Sequence, residues 1–364
     1  MTRTSIHRNP FLFTLLLLIT ANLPALHAAE GPAKHRPPLP GEACQTEPLE
    51  GWTTQEKWVW SQICVGKIAD FNNAGGYGGK LDPKKLEGWL ASRVLRPAFL
   101  ETVLLYEPYR AVLTRVGVRI VGAWFIEPLD LSNATLGHPL WLDDSRFESY
   151  VDLSYVRTPH LISLQGSKFV GQLNMNNLQV DSNLFMRRAE LSGVTLHGAH
   201  IKGQLSVAGA TFAAGFNMEN LTVAGGLFMN GGRFAEVMLR AARVGDQVNM
   251  IGSVFTRTLY MLGLEVGGSL FMREKAQFAE VILRGAHIRG QLEMSGATFN
   301  GPLYMDSLRV DGSLIADGGT SYFAPVVLRG AHVGGQIGMV GTNFDAKVDM
   351  GNLRVGLTPC SWTV

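Results

Sequence analysis

The sequence predicts a mainly-β protein, a four-sided solenoid of about 11 coils behind a small α-helical N-terminal segment. Three observations carry this reading. Apolar residues recur about every 22 positions over residues 116–356, they pair two apart within each period, and a glycine marks one place in most periods. The composition permits it, since 42 glycines and only 17% charged residues in 364 suit a stacked apolar coil with tight corners. A formal net charge of +2 means that attraction to nucleic acid or membrane would need a local patch.

In chain order, residues 1–28 read as a secretory signal peptide. Arg3, His7 and Arg8 precede an apolar run from Phe11 to Ala21, then Pro24 and the small residues Ala25, Ala28 and Ala29. The run is too short to span a bilayer, so no membrane anchor is expected once the signal is removed. No cysteine directly follows, which argues against a lipid anchor. Removing this segment takes Arg3 and Arg8 from the 32 basic residues and leaves a neutral balance against 30 acids. Residues 29–50 hold Pro32, Pro37, Pro38, Pro40 and Pro48 and read as a linker.

Export places the chain in an oxidising compartment, secreted or periplasmic, and makes cysteine pairing relevant. Cys44 and Cys64 are the disulfide candidate, closing a loop that would contribute about 3 kcal/mol in the chain-entropy model. Cys360 is left over, as a free thiol or an intermolecular link. No cysteine spacing suits zinc, a redox dithiol or haem, and no cofactor or metal is expected.

Residues 51–115 carry helical signals and read as an α-helical domain that caps the first turn of the coil. Thr53 and Glu56 make a capping box before Trp58, Trp60 and Ile63, and Asp82–Pro83 reads as a second helix start. A third helix is expected from Pro97 to Tyr106, presenting Phe99, Leu100, Val103 and Leu104. The glycine-rich stretch from Asn72 to Gly79 lacks the lysine and flanking strand of a phosphate-binding loop.

The solenoid occupies residues 116–356, with a tail at 357–364. One register runs Leu131, Leu153, Met175, Leu196, Met218, Leu239, Met261, Leu283, Met305, Leu328, Met350. A second is mostly valine, from Leu136 and Val180 to Val333 and Val355. A third is mostly phenylalanine: Phe125, Phe147, Phe169, Phe212, Phe234, Phe255, Phe278, Phe299, Phe323 and Phe344. In an early turn the pairs Ala134/Leu136, Leu140/Leu142, Ser145/Phe147 and Val151/Leu153 define four short sides. Gly203, Gly225, Gly268, Gly290, Gly312 and Gly335 stand two residues after the valine register, where a corner needs positive φ or close backbone approach.

These segments resemble the pentapeptide-repeat family. Ala199-His200-Ile201-Lys202-Gly203, Ala286-His287-Ile288-Arg289-Gly290 and Ala297-Thr298-Phe299-Asn300-Gly301 have its small and large residues two apart. The resemblance implies a right-handed quadrilateral β-helix, here with 22-residue coils where that family uses 20. Some members resemble DNA and bind topoisomerases, but an exported, neutral chain does not suit that role, and no nucleic-acid partner is expected. A two-turn superperiod, seen in Leu184-Phe185-Met186, Leu227-Phe228-Met229 and Leu270-Phe271-Met272, points to duplication of a two-turn unit.

The candidate binding residues are one outward stripe: Arg157, His200, Arg243, His287, Arg309, His332 and Arg354, interleaved with Gln179, Thr222 and Glu265. Lys202 and Arg289 add to it from a neighbouring outward position. Stacked in register these would form a face for an acidic glycan or other polyanion, stronger once histidines charge below about pH 6.5. The alternative is a solvated face paired with acids such as Glu219 and Asp306. Met186, Met229, Met250, Met272, Met294 and Met339 read as core filler rather than copper ligands. Asp143, Asp144 and Glu148 are the best carboxylate cluster for glycan cleavage, and, lying beside the helical cap, they read rather as surface contacts.

The expected function is therefore an exported, non-enzymatic scaffold or binding protein of the cell envelope, with an envelope protein or acidic glycan as partner. A glycan-binding module on the stripe is the first alternative and a polysaccharide-active enzyme the second. Open strand edges at the last coil would invite a homodimer through the C-terminal end, with Cys360 placed to lock it.

Overall fold

From Val118 onward the coils carry short parallel strands on four sides, each paired in register with its counterpart one coil away, and in the first coil the fourth side is the single bridge of Thr135 to Arg157. The structure is a computed structural model and describes residues 44–356. The expected signal peptide, most of the linker, Cys360 and the tail lie outside the described residues.

Side 1 runs from β2 (Val118–Val121) to Ile337–Gly338, and side 2 from Trp124–Phe125 to Asn343–Phe344. Side 3 runs from Leu129–Asp130 to Val348–Asp349, and side 4 from Arg157–Thr158 to Arg354–Val355. The strands form sheets of 12, 20 and 10 members. The largest joins sides 2 and 3, because Val254–Tyr260 and Gln277–Ile282 run unbroken through the corner between them. The expected parallel solenoid of about 11 coils is therefore present.

A two-residue strand suffices because each contributes one inward and one outward side chain. The inward Leu/Met register is buried from Leu131 to Leu328, and Met186, Met229, Met250, Met272 and Met294 are buried with it. On side 2 the inward rings stack. Phe147 and Phe169 lie 4.4 Å apart and nearly parallel, and a second run continues from Phe212 through Phe299 to Tyr322 and Phe344. Phe323 is not in this column, contrary to the sequence expectation; it is 54% exposed. The preceding corner takes one extra residue, with Gly318 and Gly319 both at positive φ as Glu274 and Lys275 are two coils earlier, so the slot opposite Phe299 falls 23 positions on, at Tyr322, whereas Phe323 would need two extra residues.

The four corners use two devices. Between sides 1 and 2, and between sides 3 and 4, the chain turns through a left-handed residue such as Asp144, Gly166, Tyr155 or Asn177. Asx turns lead into several of these, as where Asp152 Oδ1 accepts from Ser154 N at 2.8 Å just before Tyr155. The column Gly203, Gly225, Gly290, Gly312, Gly335 is different. None of these glycines has positive φ, and a Cβ on Gly225 would stand 2.7 Å from the carbonyl oxygen of Gly203. Close backbone approach is the requirement there.

Helix α1 (Thr54–Ile63) has the expected reciprocal capping box, with Thr53 N donating to Glu56 Oε2 at 2.8 Å. Helix α2 (Pro97–Leu105) buries Phe99, Leu100, Val103 and Leu104 as expected, and is followed by α3 (Tyr109–Val112). No helix starts at Asp82–Pro83. Asp82 instead accepts from Lys84 N at 3.0 Å in a turn, and Gly88 at φ +85° interrupts any continuation. Cys44 and Cys64 form the expected disulfide, with Cα atoms 5.6 Å apart, at the end of α1. Strand β1 (Ala69–Asp70) pairs with β2, and Leu95 N donates to Trp124 O at 3.0 Å, so this segment shares the apolar core of the first coil. At the other end Phe344, Val348, Met350, Leu353 and Val355 are only partly buried.

Candidate binding surfaces

Side 4 places the sequence-derived stripe in one column. Successive pairings link Arg157 to Gln179, His200, Thr222, Arg243, Glu265, His287, Arg309, His332 and Arg354, each opposite the next. Their inward neighbours, among them Val180, Ile201, Val244 and Val310, are buried, which locks the polar set outward. At about 4.8 Å per strand, the seven basic residues form a straight row along the axis.

The acids that offset this row are not the expected ones. Glu219 pairs with Arg240 at 3.5 Å and Asp306 with Arg284 at 3.0 Å, outside the stripe. The offsetting acids are Glu265, 3.4 Å from Arg243, and Asp311, 2.7 Å from Arg309 and 2.9 Å from His287. Asp181 holds Lys202 at 2.9 Å. Hydrogen bonds from Arg309 and His287 hold the Asp311 carboxyl below the usual range. Among the described residues Arg157, Arg289 and Arg354 have no acid within ion-pair distance, and all three are exposed.

A shallow depression of about 200 Å³ lies midway along the stripe, edged by Arg243, Glu265, His287 and Arg289. Its floor is bare because Gly245 and Gly267 lie directly against carbonyl oxygens of the preceding coil, where no Cβ fits.

The carboxylate cluster does not converge. Asp143 lies on side 1, where its Oδ1 accepts from Ser163 Oγ at 2.6 Å and Gln165 N at 2.9 Å. Burial pushes its pKa up despite these bonds. Glu148 follows the side 2 strand and is held by Arg146 Nε at 2.5 Å and Trp124 Nε1 at 2.9 Å. Asp144 occupies the corner between, at φ 45°, in a cleft of about 470 Å³ that also contains Lys80, Lys84 and Arg188. Burial raises its pKa, opposed by Arg188 and Lys80.

The glycine-rich stretch has a role that its sequence did not reveal. Arg93 is fully buried, and its guanidinium donates to Tyr77 O at 2.7 Å, Asn72 Oδ1 at 2.8 Å, Gly122 O at 3.1 Å and Gly79 O. The stretch thus turns carbonyls inward around a cation, the opposite polarity to the N–H cradle that a phosphate needs. A lone arginine between Ser92 and Val94 carries no pattern that could have announced this.

No group of three or more potential metal-ligating His, Cys, Asp or Glu side chains occurs among the described residues, and no described helix is long and apolar enough to cross a membrane. Comparison of the chain with family models, curated proteins and solved structures returns no match.

Proposed function

We propose that the protein is an exported, non-catalytic binding scaffold of the cell envelope that holds acidic polymers along side 4. The in-register row from Arg157 to Arg354 carries this reading. A rigid file of cations suits a polymer with repeated carboxylates or phosphates, because successive anions meet successive cations without rearranging the coil. Export rests on residues 1–28 and is supported by the Cys44–Cys64 disulfide, which an oxidising compartment maintains. A 22-residue-coil variant of the pentapeptide-repeat architecture, with its right-handed winding, is part of the same proposal and is supported by the four-sided coil.

The test is binding of a soluble acidic polysaccharide, polygalacturonate, to the wild type and to the combined Arg157→Glu, Arg243→Glu, Arg309→Glu variant at low salt. The proposal expects affinity to fall by about tenfold or more, ~1.4 kcal/mol. Binding unaffected by the three reversals sinks the reading.

The half-buried apolar residues of the last described coil support a second copy adding there, which a concentration-dependent mass would register. A polysaccharide-active enzyme is the rival reading, favoured only by the raised pKa of Asp144 in its cleft. Polysaccharide cleavage that Asp144→Asn abolishes would establish it in place of the scaffold.

A further inference from the structure

We propose a second binding site, at the corner between sides 2 and 3, for an uncharged, hydroxyl-rich glycan lying along the coil axis. A recess of about 460 Å³ opens there between Tyr150 and Met238, within the size range of small-ligand sites.

Two glycines make the recess, and the fold does not require them. The outward position before each side 3 strand forms one column, in which Leu173 N bonds to Gly193 O at 3.0 Å and Val194 N to Gly215 O at 3.1 Å. Other coils carry Tyr150, Gln172, Glu236, Thr258 or Lys347 at this position, so side chains are accepted. Many other glycines of the coil are forced, by left-handed φ as at Gly252 or by a carbonyl where a Cβ would stand as at Gly171 and Gly301. Gly193 and Gly215 have neither constraint. A Cβ on Gly193 would meet nothing closer than 3.8 Å, and one on Gly215 nothing within 4 Å. Losing two side chains in adjacent coils costs conformational entropy and gives the coil nothing in return, whereas it keeps the recess open.

The chemistry of the lining selects the ligand. Every residue bordering the recess is uncharged, which disfavours an anionic polymer. Tyr150, 39% exposed, adds an aromatic side chain to the lining. Among the lining groups, Tyr150 OH donates to Asp152, which does not itself line the recess, Asn174 Nδ2 donates to Asp152 Oδ1 at 3.1 Å, and Thr195 Oγ1 donates to Asn174 Oδ1 at 3.1 Å. This chain fixes the orientation of each group and leaves further acceptor capacity on the Tyr150 and Thr195 oxygens. Asn217 Oδ1 accepts from Glu219 N at 2.9 Å, which turns its amide donors away from the backbone. The Gln172 amide has no partner among the described residues. Polar groups therefore repeat at about 4.8 Å along the axis, on the scale of one sugar unit.

The test titrates chitotetraose, cellotetraose and maltotetraose into the full chain by calorimetry or NMR, alongside Gly193→Gln, Asn217→Ala and the stripe triple variant. The proposal expects at least one tetrasaccharide to bind with Kd below about 10 mM. It expects both site variants to weaken that binding more than about tenfold, an unchanged melting temperature for Gly193→Gln, and full binding by the stripe variant. The proposal is overturned if none of the three binds, or if binding survives both site variants. Should Gly193→Gln fail to fold, the glycine would be structural after all, and Asn217→Ala alone decides whether the recess binds.

Discussion

The hydroxyl of Tyr322 lies 3.8 Å from the sulfur of Met294, inside a column of otherwise hydrocarbon rings. A thioether is a weak acceptor, and burial pushes the phenol well above its ordinary pKa. Tyr322→Phe keeps the stacking with Phe299 and Phe344 and removes the poorly partnered hydroxyl. Thermal unfolding is expected to show a gain of about 1 kcal/mol. A loss of that size would show that the contact with Met294 stabilises the coil.

Left-handed corners give a paired prediction. Ala241 turns its corner at φ 51°, a conformation that glycine adopts without strain. Ala241→Gly is expected to stabilise by about 0.5–1 kcal/mol, and Gly252→Ala, at φ 64° with nothing nearer its added methyl than 3.7 Å, to destabilise by a similar amount. Denaturant midpoints of the two variants should move in opposite directions.

Asp143 and Glu56 should respond oppositely to pH. Burial raises the Asp143 pKa, so its ionised form costs stability at neutral pH and that cost disappears as pH falls through the raised folded value. Asp143→Asn is therefore expected to raise the melting temperature at pH 7, with the gain shrinking under acid. For Glu56, burial alone would raise the pKa, but hydrogen bonds from Arg96 and Thr53 outweigh it and lower it overall. Its contribution is complete above the ordinary glutamate range and is lost as pH falls through the lowered folded value. Glu56→Gln should thus destabilise at pH 7 and matter less in strong acid.

Removing the Arg93 guanidinium leaves several inward-pointing carbonyls without a donor. Arg93→Met is expected to cost about 3–5 kcal/mol, concentrated in the N-terminal segment. Hydrogen exchange should report faster opening around residues 71–80 and little change in the later coils. Uniform loss of protection along the whole coil would mean that this segment and the solenoid unfold as one unit.

Much of the solenoid was legible because its information is periodic. A Leu or Met every 22 residues has one arrangement that buries all of them, and the same arrangement puts Arg157, Arg243 and Arg309 in one outward column. What escaped was aperiodic. The single extra left-handed residue at Gly318–Gly319 lengthens that coil to 23, which puts Tyr322 and not Phe323 in the ring column. Asp143 and Glu148 are five positions apart in sequence, yet a corner turns them onto different sides. The isolated Arg93, between two unremarkable neighbours, gave no hint of the carbonyls around it.

The sequence by itself determined the coil, its inward and outward sets and the helix that begins at the Thr53 capping box, because alternation and capping act over a few residues and repeat. Only the tertiary structure decided which glycines are forced and which are free, since Gly171 and Gly193 each stand two residues after the inward residue of side 2 and read alike along the chain. The distance from each to the backbone of the neighbouring coil separates them, and that distance is set by stacking across residues some 20 positions apart, beyond the reach of local pattern.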